Sequence, residues 1–422
     1  MLLKSFVVVV LLLLISIISH HGVHAQRTAL DTAFGPLIRL LRLNFLNAMG
    51  RSGRMASNMD LLRRKGRTQL SDKLSKNATE FCGLNGPGKR SLEQPTSVHR
   101  LRPGDIDIVA AMGDSLTAGN GILGTNLLHL AHENRGASWS IGGQGTWREY
   151  MTFPNLLKEY NPKVYGYSLG DATTTERASR FNVAELGAMS RDMPYMAKVL
   201  VKRLLHDPNV NMTHHWKVIT LMVGNNDYCS EVCFLPDPMK AIDDHERNML
   251  KTYRYLRDNV PRLMLNVSPA PNLLLLTKQK EIPLQCRLML AFECPCIFGK
   301  SPKYQKFLGK FMDKWAQRDI EIAKRGEFNM ETFTINIEHY TNQYTLPTLP
   351  NGNADTTYTS EDCFHISQKA QAASAHSYWN NLFEMPNEKR SFKKDIYEHF
   401  LCPTEEHPYI ITRVNSSPDF KV

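Results

Sequence analysis

A serine set directly after an apolar run, and an aspartate three residues ahead of a histidine, are the pairings in this chain best suited to acyl transfer. In Ala111-Met-Gly-Asp-Ser-Leu-Thr-Ala-Gly119, Gly113 permits a sharp turn and Ser115 should open a helix. Its own N–H would then point into a site with the helix N-terminus behind it. That geometry suits a nucleophile whose tetrahedral intermediate carries an oxyanion; the plain alternative is a serine that only caps a helix. In Asp362-Cys-Phe-His365, side chains at i and i+3 of a helical turn share a face. The carboxylate could fix the tautomer of the imidazole and stabilise its protonated form, leaving the other nitrogen for a serine proton. Taken singly, the motif also fits an exposed histidine near a helix start.

Two neutral-donor segments complete the set. Asn182-Val-Ala-Glu-Leu-Gly187-Ala offers a glycine that can turn a backbone N–H toward an anion without a Cβ in the way. In Gly224-Asn225-Asn226-Asp227, the Asn226 amide can aim at a developing negative charge. A plain turn accounts for either segment in isolation. Asp114 and Asp227 are read as braces that hold their loops through backbone N–H groups rather than as reacting groups.

The elements that must carry these residues alternate. Short apolar runs at 106–112, 218–223, 263–267 and 333–337 read as buried strands, the first two ending in Gly-Asp-Ser and Gly-Asn-Asn-Asp. Helical patterns lie at 193–205, 246–260, 304–324 and 368–383. Such alternation specifies an α/β domain with a parallel sheet, whose ligands bind at the carboxyl ends of the strands. The polar residues sit at those ends.

Composition sets the class. The chain has 422 residues, 42% hydrophobic and 22% charged, the texture of a globular enzyme and not of a fibrous or low-complexity protein. Residues 1–25 have a lysine, a short apolar run and Val23-His24-Ala25 at the end, as in a secretory signal peptide. Residues 26–103 form a basic N-terminal extension and linker, 104–386 the chemical domain and 387–422 a C-terminal tail. Between Gln26 and Leu70 nine Lys/Arg face two Asp, which supplies most of the net charge of +10. The charge describes one arm, so no nucleic-acid partner is expected. Residues 36–49 can form an amphipathic helix, either packed on the domain or basic and membrane-facing, and Arg63-Arg64-Lys65 could be a processing point. Eight cysteines in an oxidising compartment favour disulfides over a zinc site, with pairing left open among 105 connectivities. Sequons at Asn77, Asn211, Asn266 and Asn415 mark expected surface glycan positions.

One rival nucleophile exists. Gly166-Tyr-Ser168-Leu-Gly170 matches G-x-S-x-G, but the strand before it is short and the stretch after it polar. It also leaves the serine after the best strand unexplained.

Ser115, Gly187, Asn226, Asp362 and His365, in that order from about Asp105 to Met385, resemble the four-block pattern of the GDSL or SGNH hydrolases. AAMGDSLTAGNGI, FNVAELGAMSRDM, WKVITLMVGNNDYC and DCFHIS with SYWNNLFEM resemble its phospholipase B-like branch, apart from Asn225, where many members carry glycine. The resemblance implies a three-layer, flavodoxin-like α/β/α sandwich around a parallel sheet. It implies a Ser115–His365–Asp362 triad, with the Ser115 N–H, Gly187 N–H and Asn226 amide as oxyanion hole, and no metal or other cofactor. The expected activity is release of fatty acid from phospholipids and lysophospholipids by a secreted enzyme without a membrane anchor, in transient contact with a membrane or micelle surface. The same block could serve neutral lipids, acetylated glycans or small esters, and an inactive lipid-binding protein is the alternative from outside enzymes.

Overall fold

Strands form where the sequence is apolar on both faces. In the computed structural model, which describes residues 44, 56–69, 82, 86–341, 345–386, 388–389 and 400–420, one sheet has the order β1-β2-β3-β5-β4. Its strands are β1 (Ile106–Gly113), β2 (Trp216–Met222), β3 (Leu263–Val267), β4 (Asn329–Met330) and β5 (Phe333–Ile337). The pairs β1·β2, β2·β3 and β3·β5 are parallel, and only the two-residue β4 runs antiparallel. Every residue of β2 and β3 is buried, as a parallel sheet covered on both faces requires.

The helices are α1 (Ala56–Arg64), α2 (Ser115–Ala118), α3 (Phe153–Tyr160), α4 (Met193–His206), α5 (Lys240–Asn259), α6 (Leu284–Glu293), α7 (Pro302–Ala323) and α8 (Gln368–Asn381). On one face of the sheet, α3 and α8 pack with Val109, Ala111, Val218 and Met264. On the other, α4, α5 and the end of α7 pack with Ile108, Ala110, Met112, Ile219 and Leu265. The result is the expected three-layer α/β/α sandwich. In α4 the buried Met193, Met196, Ala197, Leu200, Val201 and Leu204 recur at three- and four-residue spacing, a single stripe turned to the sheet. In α8 all residues but Lys369 are buried, and small Ala side chains let the helix lie close to the strands. Tyr378 of α8 bonds with Thr220 at 3.0 Å and accepts from the Asn266 amide at 2.7 Å, so the Thr220 hydroxyl and the Asn266 amide nitrogen find partners inside the core.

That last bond corrects one expectation. Asn266 is fully buried and its amide nitrogen is engaged, so this sequon is not a surface glycan position. The Asn415 amide likewise donates to His99 O and Ile410 O, whereas Asn211 is exposed. Asn77, residues 1–25 and all of the 36–49 helix except Asn44 lie outside the described residues.

The eight cysteines pair as Cys82–Cys402, Cys229–Cys294, Cys233–Cys296 and Cys286–Cys363. The first joins the extension to the tail, and both segments share in the core. Val98 and Leu101, placed by sequence in a linker, are fully buried. From the tail, the Ile410 N–H donates to Leu101 O and the Ile411 N–H to Leu382 O, both at 2.8 Å. Packing therefore continues past the expected boundaries at 103 and 387, because those stretches hold apolar side chains that polar turn-forming neighbours disguise. Ile410, 1% exposed, should prove structural: Ile410→Ala is expected to cost about 2–4 kcal/mol, read as a fall in melting temperature. An unchanged melting temperature would place the tail outside the cooperative fold.

Candidate active site

The carboxyl end of β1 positions the candidate nucleophile. Gly113 has φ +149°, and a Cβ there would lie 2.5 Å from Met222 O and 2.8 Å from Thr117 Oγ1, so only glycine lets the chain turn against β2. Asp114 then caps the turn, its carboxylate accepting from the Leu116 N–H at 3.0 Å, and Ser115 is the first residue of α2. Here the structure differs from expectation. The helix is only four residues long, so a fixed backbone N–H, not an accumulated helix dipole, is what it offers an anion.

The Asp362–His365 segment is also not helical. Ser360 N–H donates to His365 O at 2.7 Å and Cys363 N–H to Ser360 O at 3.1 Å, closing a tight turn in which Cys363 adopts φ +63°. A non-glycine residue in that region costs on the order of 1 kcal/mol or more, and the disulfide to Cys286 holds it there. The turn brings Asp362 back onto His365. One Asp362 oxygen accepts the Phe364 and His365 N–H groups at 3.2 and 3.1 Å, and the other bonds His365 Nδ1 in a very short contact. His365 Nε2 faces Ser115 Oγ at 2.8 Å. Ser115, His365 and Asp362 are thus linked in one chain, with exposures of 4%, 6% and 0%.

Burial by itself would lower the imidazole pKa; the charge of the Asp362 carboxylate and its hydrogen bond to Nδ1 override it and raise His365 to about 9. Asp362 is held below the ordinary aspartate value: burial works against its charge, and His365 and the backbone donors outweigh that. Glu293 has its carboxyl pushed well up by burial and by the Asp362 charge. It lies 3.6 Å from His365 Nδ1 and did not stand out in the sequence. Its one signal was to be the only acidic residue in an otherwise apolar and basic helix, just before Cys294-Pro-Cys296. Glu293, Asp362 and His365 bring ligand-type atoms within 4.8 Å of one another. The imidazole Nδ1 in this cluster is engaged by Asp362.

The neutral-donor segments are tied to this chain by their neighbours. The Asn225 amide donates to Asp114 at 3.2 Å, joining the end of β2 to the serine turn. The Asn226 amide donates to Ala188 O at 2.9 Å, which requires one of its two N–H groups and anchors the residue after Gly187. Gly187 has φ +76° with open space on its Cβ side, so the demand for glycine there is conformational. Asp227 accepts from the Ser190 N–H and hydroxyl at 3.1 Å each, and burial raises it to about 7. Asp114 is raised by burial to about 6. Both acids act as loop braces.

Ser168, the rival, is fully buried and its hydroxyl donates to Arg135 O at 2.7 Å. It faces the interior and contacts neither His365 nor Asp362.

Comparison with known proteins follows the same blocks. The family model for GDSL-like lipase/acylhydrolase matches residues 109–377. The mouse protein "Phospholipase B1, membrane-associated" is 34% identical over 330 residues, 77% of this chain and 22% of its own length. The human protein of that name is 34% identical over 334 residues, 76% of this chain and again 22% of its own. The chain therefore spans about a fifth of the length of these relatives. A solved extracellular lipase from Streptomyces rimosus, 16% identical, aligns over 63% of this chain and 95% of its own with a TM-score of 0.27, too low to build on.

The electrostatics give a direct check. His365 should titrate well above 6.5 by nitrogen NMR, and Asp362→Asn should move it down, because the carboxylate that favours the charged imidazole is gone. A wild-type value below 6.5 would refute this account of the cluster.

Proposed function

This chain belongs to the GDSL-like lipase/acylhydrolase family, and we propose that it is a secreted serine esterase that releases fatty acid from phospholipids and lysophospholipids through Ser115. The observation that supports the reading best is the hydrogen-bonded chain from Ser115 Oγ through His365 to Asp362. His365 takes the serine proton as the hydroxyl attacks the acyl carbonyl, and Asp362 stabilises the resulting imidazolium. The negative oxygen of the tetrahedral intermediate is received by the Ser115 and Gly187 N–H groups and the Asn226 amide. The alcohol leaves with the proton from His365, and a water deprotonated by the same imidazole releases the fatty acid. The phospholipid assignment rests on the relatives, which carry that substrate class in their name.

The surface around the site fits a lipid aggregate as the source of substrate. Leu284, Leu288 and Phe292 of α6 recur every fourth residue and are exposed, while Cys286 and Leu290 on the same helix are buried. The helix is bonded to the site loop through Cys286–Cys363 and through Gln285 to Glu361 O at 2.8 Å. Leu186, beside Gly187, is exposed as well. Isolated exposed leucines are ordinary, but a stripe of them beside a candidate lipid site is a contact surface. No helix among the described residues is long and apolar enough to cross a membrane.

A fluorophosphonate should label Ser115, and Ser115→Ala should fold, lose the label and release no fatty acid from phosphatidylcholine or lysophosphatidylcholine. Full activity in the folded variant would end the proposal, and Ser168 as the labelled residue would move the chemistry elsewhere. Asn226→Ala should lower kcat roughly 10²–10³-fold, the usual worth of one oxyanion donor. Leu288→Asp with Phe292→Asp should weaken hydrolysis of vesicles while sparing a soluble short-chain ester; equal loss on both would show that the stripe serves the fold instead.

A further inference from the structure

Three disulfides converge on one short segment. Cys286, Cys294 and Cys296 tie residues 286–296 to Cys363, Cys229 and Cys233. Two of those partners adjoin the site: Cys363 lies between Asp362 and His365, and Cys229 follows Asn226 by three residues. The segment held in this way ends α6 on Glu293, whose side chain is turned inward, away from the exposed stripe of the same helix. Its carboxyl group lies 3.6 Å from His365 Nδ1, and one of its oxygens comes within 4.8 Å of an Asp362 carboxylate oxygen.

Two carboxyl groups this close cannot both ionise without a large penalty. The sites differ in what they offer a negative charge. Asp362 has two backbone N–H donors and the imidazole; for Glu293, burial and the neighbouring Asp362 charge both favour the protonated form. The proton therefore resides on Glu293, which becomes a donor, and the charge on Asp362, which receives it.

Resting on the esterase reading above, we propose that Glu293 is a positioning residue of the same site. Its neutral carboxyl group, clamped by the Cys286–Cys363 and Cys229–Cys294 disulfides, donates to Asp362 and fixes the imidazole that faces Ser115. No bond to substrate is involved. The glutamic acid keeps its proton through the cycle, so the imidazolium formed when Ser115 attacks meets one negative charge beside it instead of two.

Two variants separate this role from simple packing. In Glu293→Gln the amide still donates to Asp362, so kcat, KM and the rate of Ser115 labelling by a fluorophosphonate should stay near wild type, with the acid limb of the pH profile in place. In Glu293→Met the volume is kept without a donor, and kcat should fall roughly 10–100-fold, as when other outer-shell partners are removed, with KM little changed and labelling of Ser115 slowed in parallel. Wild-type rates in Glu293→Met would overturn the proposal. So would a Glu293→Gln variant as slow as Glu293→Met, or one whose acid limb moves to lower pH, since either means that an ionised glutamate had been acting on His365. The probe also keeps the two readings apart. Fast labelling of Ser115 in Glu293→Met removes only the role given to Glu293, whereas no labelling of wild-type Ser115 removes the esterase reading and this one with it.

Discussion

A hydroxyl, an imidazole and a carboxylate, almost withdrawn from water and joined end to end, impose the constraint on which the rest of the structure depends. Ser115 and His365 lie 250 residues apart in sequence and 2.8 Å apart in space. Burial strengthens every dipole in such a chain and penalises every charge that lacks a partner. The groups must therefore be held to a few tenths of an ångström, and each needs its own anchor. Gly113 supplies the close approach of β1 to β2. Asp114 and Asn225 lock the serine turn to the end of β2. Cys363, held in a strained backbone conformation by its disulfide, turns Asp362 back onto the ring.

The sheet that carries these anchors was largely legible. Four apolar runs became four parallel strands at nearly the expected residues, because a strand buried on both faces reads as a mostly apolar run even where single polar residues such as Thr220 and Asn266 interrupt it. The helices α4, α5, α7 and α8 followed from their spacing, although α5 starts at Lys240, six residues before the expected start at 246. What the sequence hid was contact between distant stretches. Val98, Leu101 and Ile410 look like residues of a linker and a tail, and become core only when brought together. Asn266 reads as a glycan acceptor until β3 is placed at the centre of the sheet.

At the site, the identity of the residues could be read and their local geometry could not. The i, i+3 spacing of Asp362 and His365 suggested a helical face; the same proximity arises from a turn with one left-handed residue. Spacing alone does not distinguish the two. Glu293 was out of reach because its neighbours in space come from another loop, and its tether is a disulfide whose partner the cysteine count does not name. The extension is a similar case. Arg67 pairs with Glu361 at 2.6 Å, one residue before Asp362, so a segment that looks dispensable supports the loop on which the proposed chemistry turns.

Three acids lie around the one imidazole: Asp114, Glu293 and Asp362. Were all of them ionised, the site would hold more negative charge than a single imidazolium can balance in a medium of low dielectric constant, and the cluster would be pushed apart. Burial resolves this unevenly. It raises Asp114 to about 6 and pushes Glu293 well up too, while the turn at 360–365 gives Asp362 enough donors to stay charged. One carboxylate faces the ring directly, and burial opposes the charge on the two carboxyl groups behind it. That uneven distribution explains why a single histidine can sit among three acids and still present a usable lone pair to Ser115 once the pH is high enough. The same distribution depends on the disulfide-bound segment that delivers Glu293, so the cysteines contribute to the electrostatics of the site as well as to the stability of the chain.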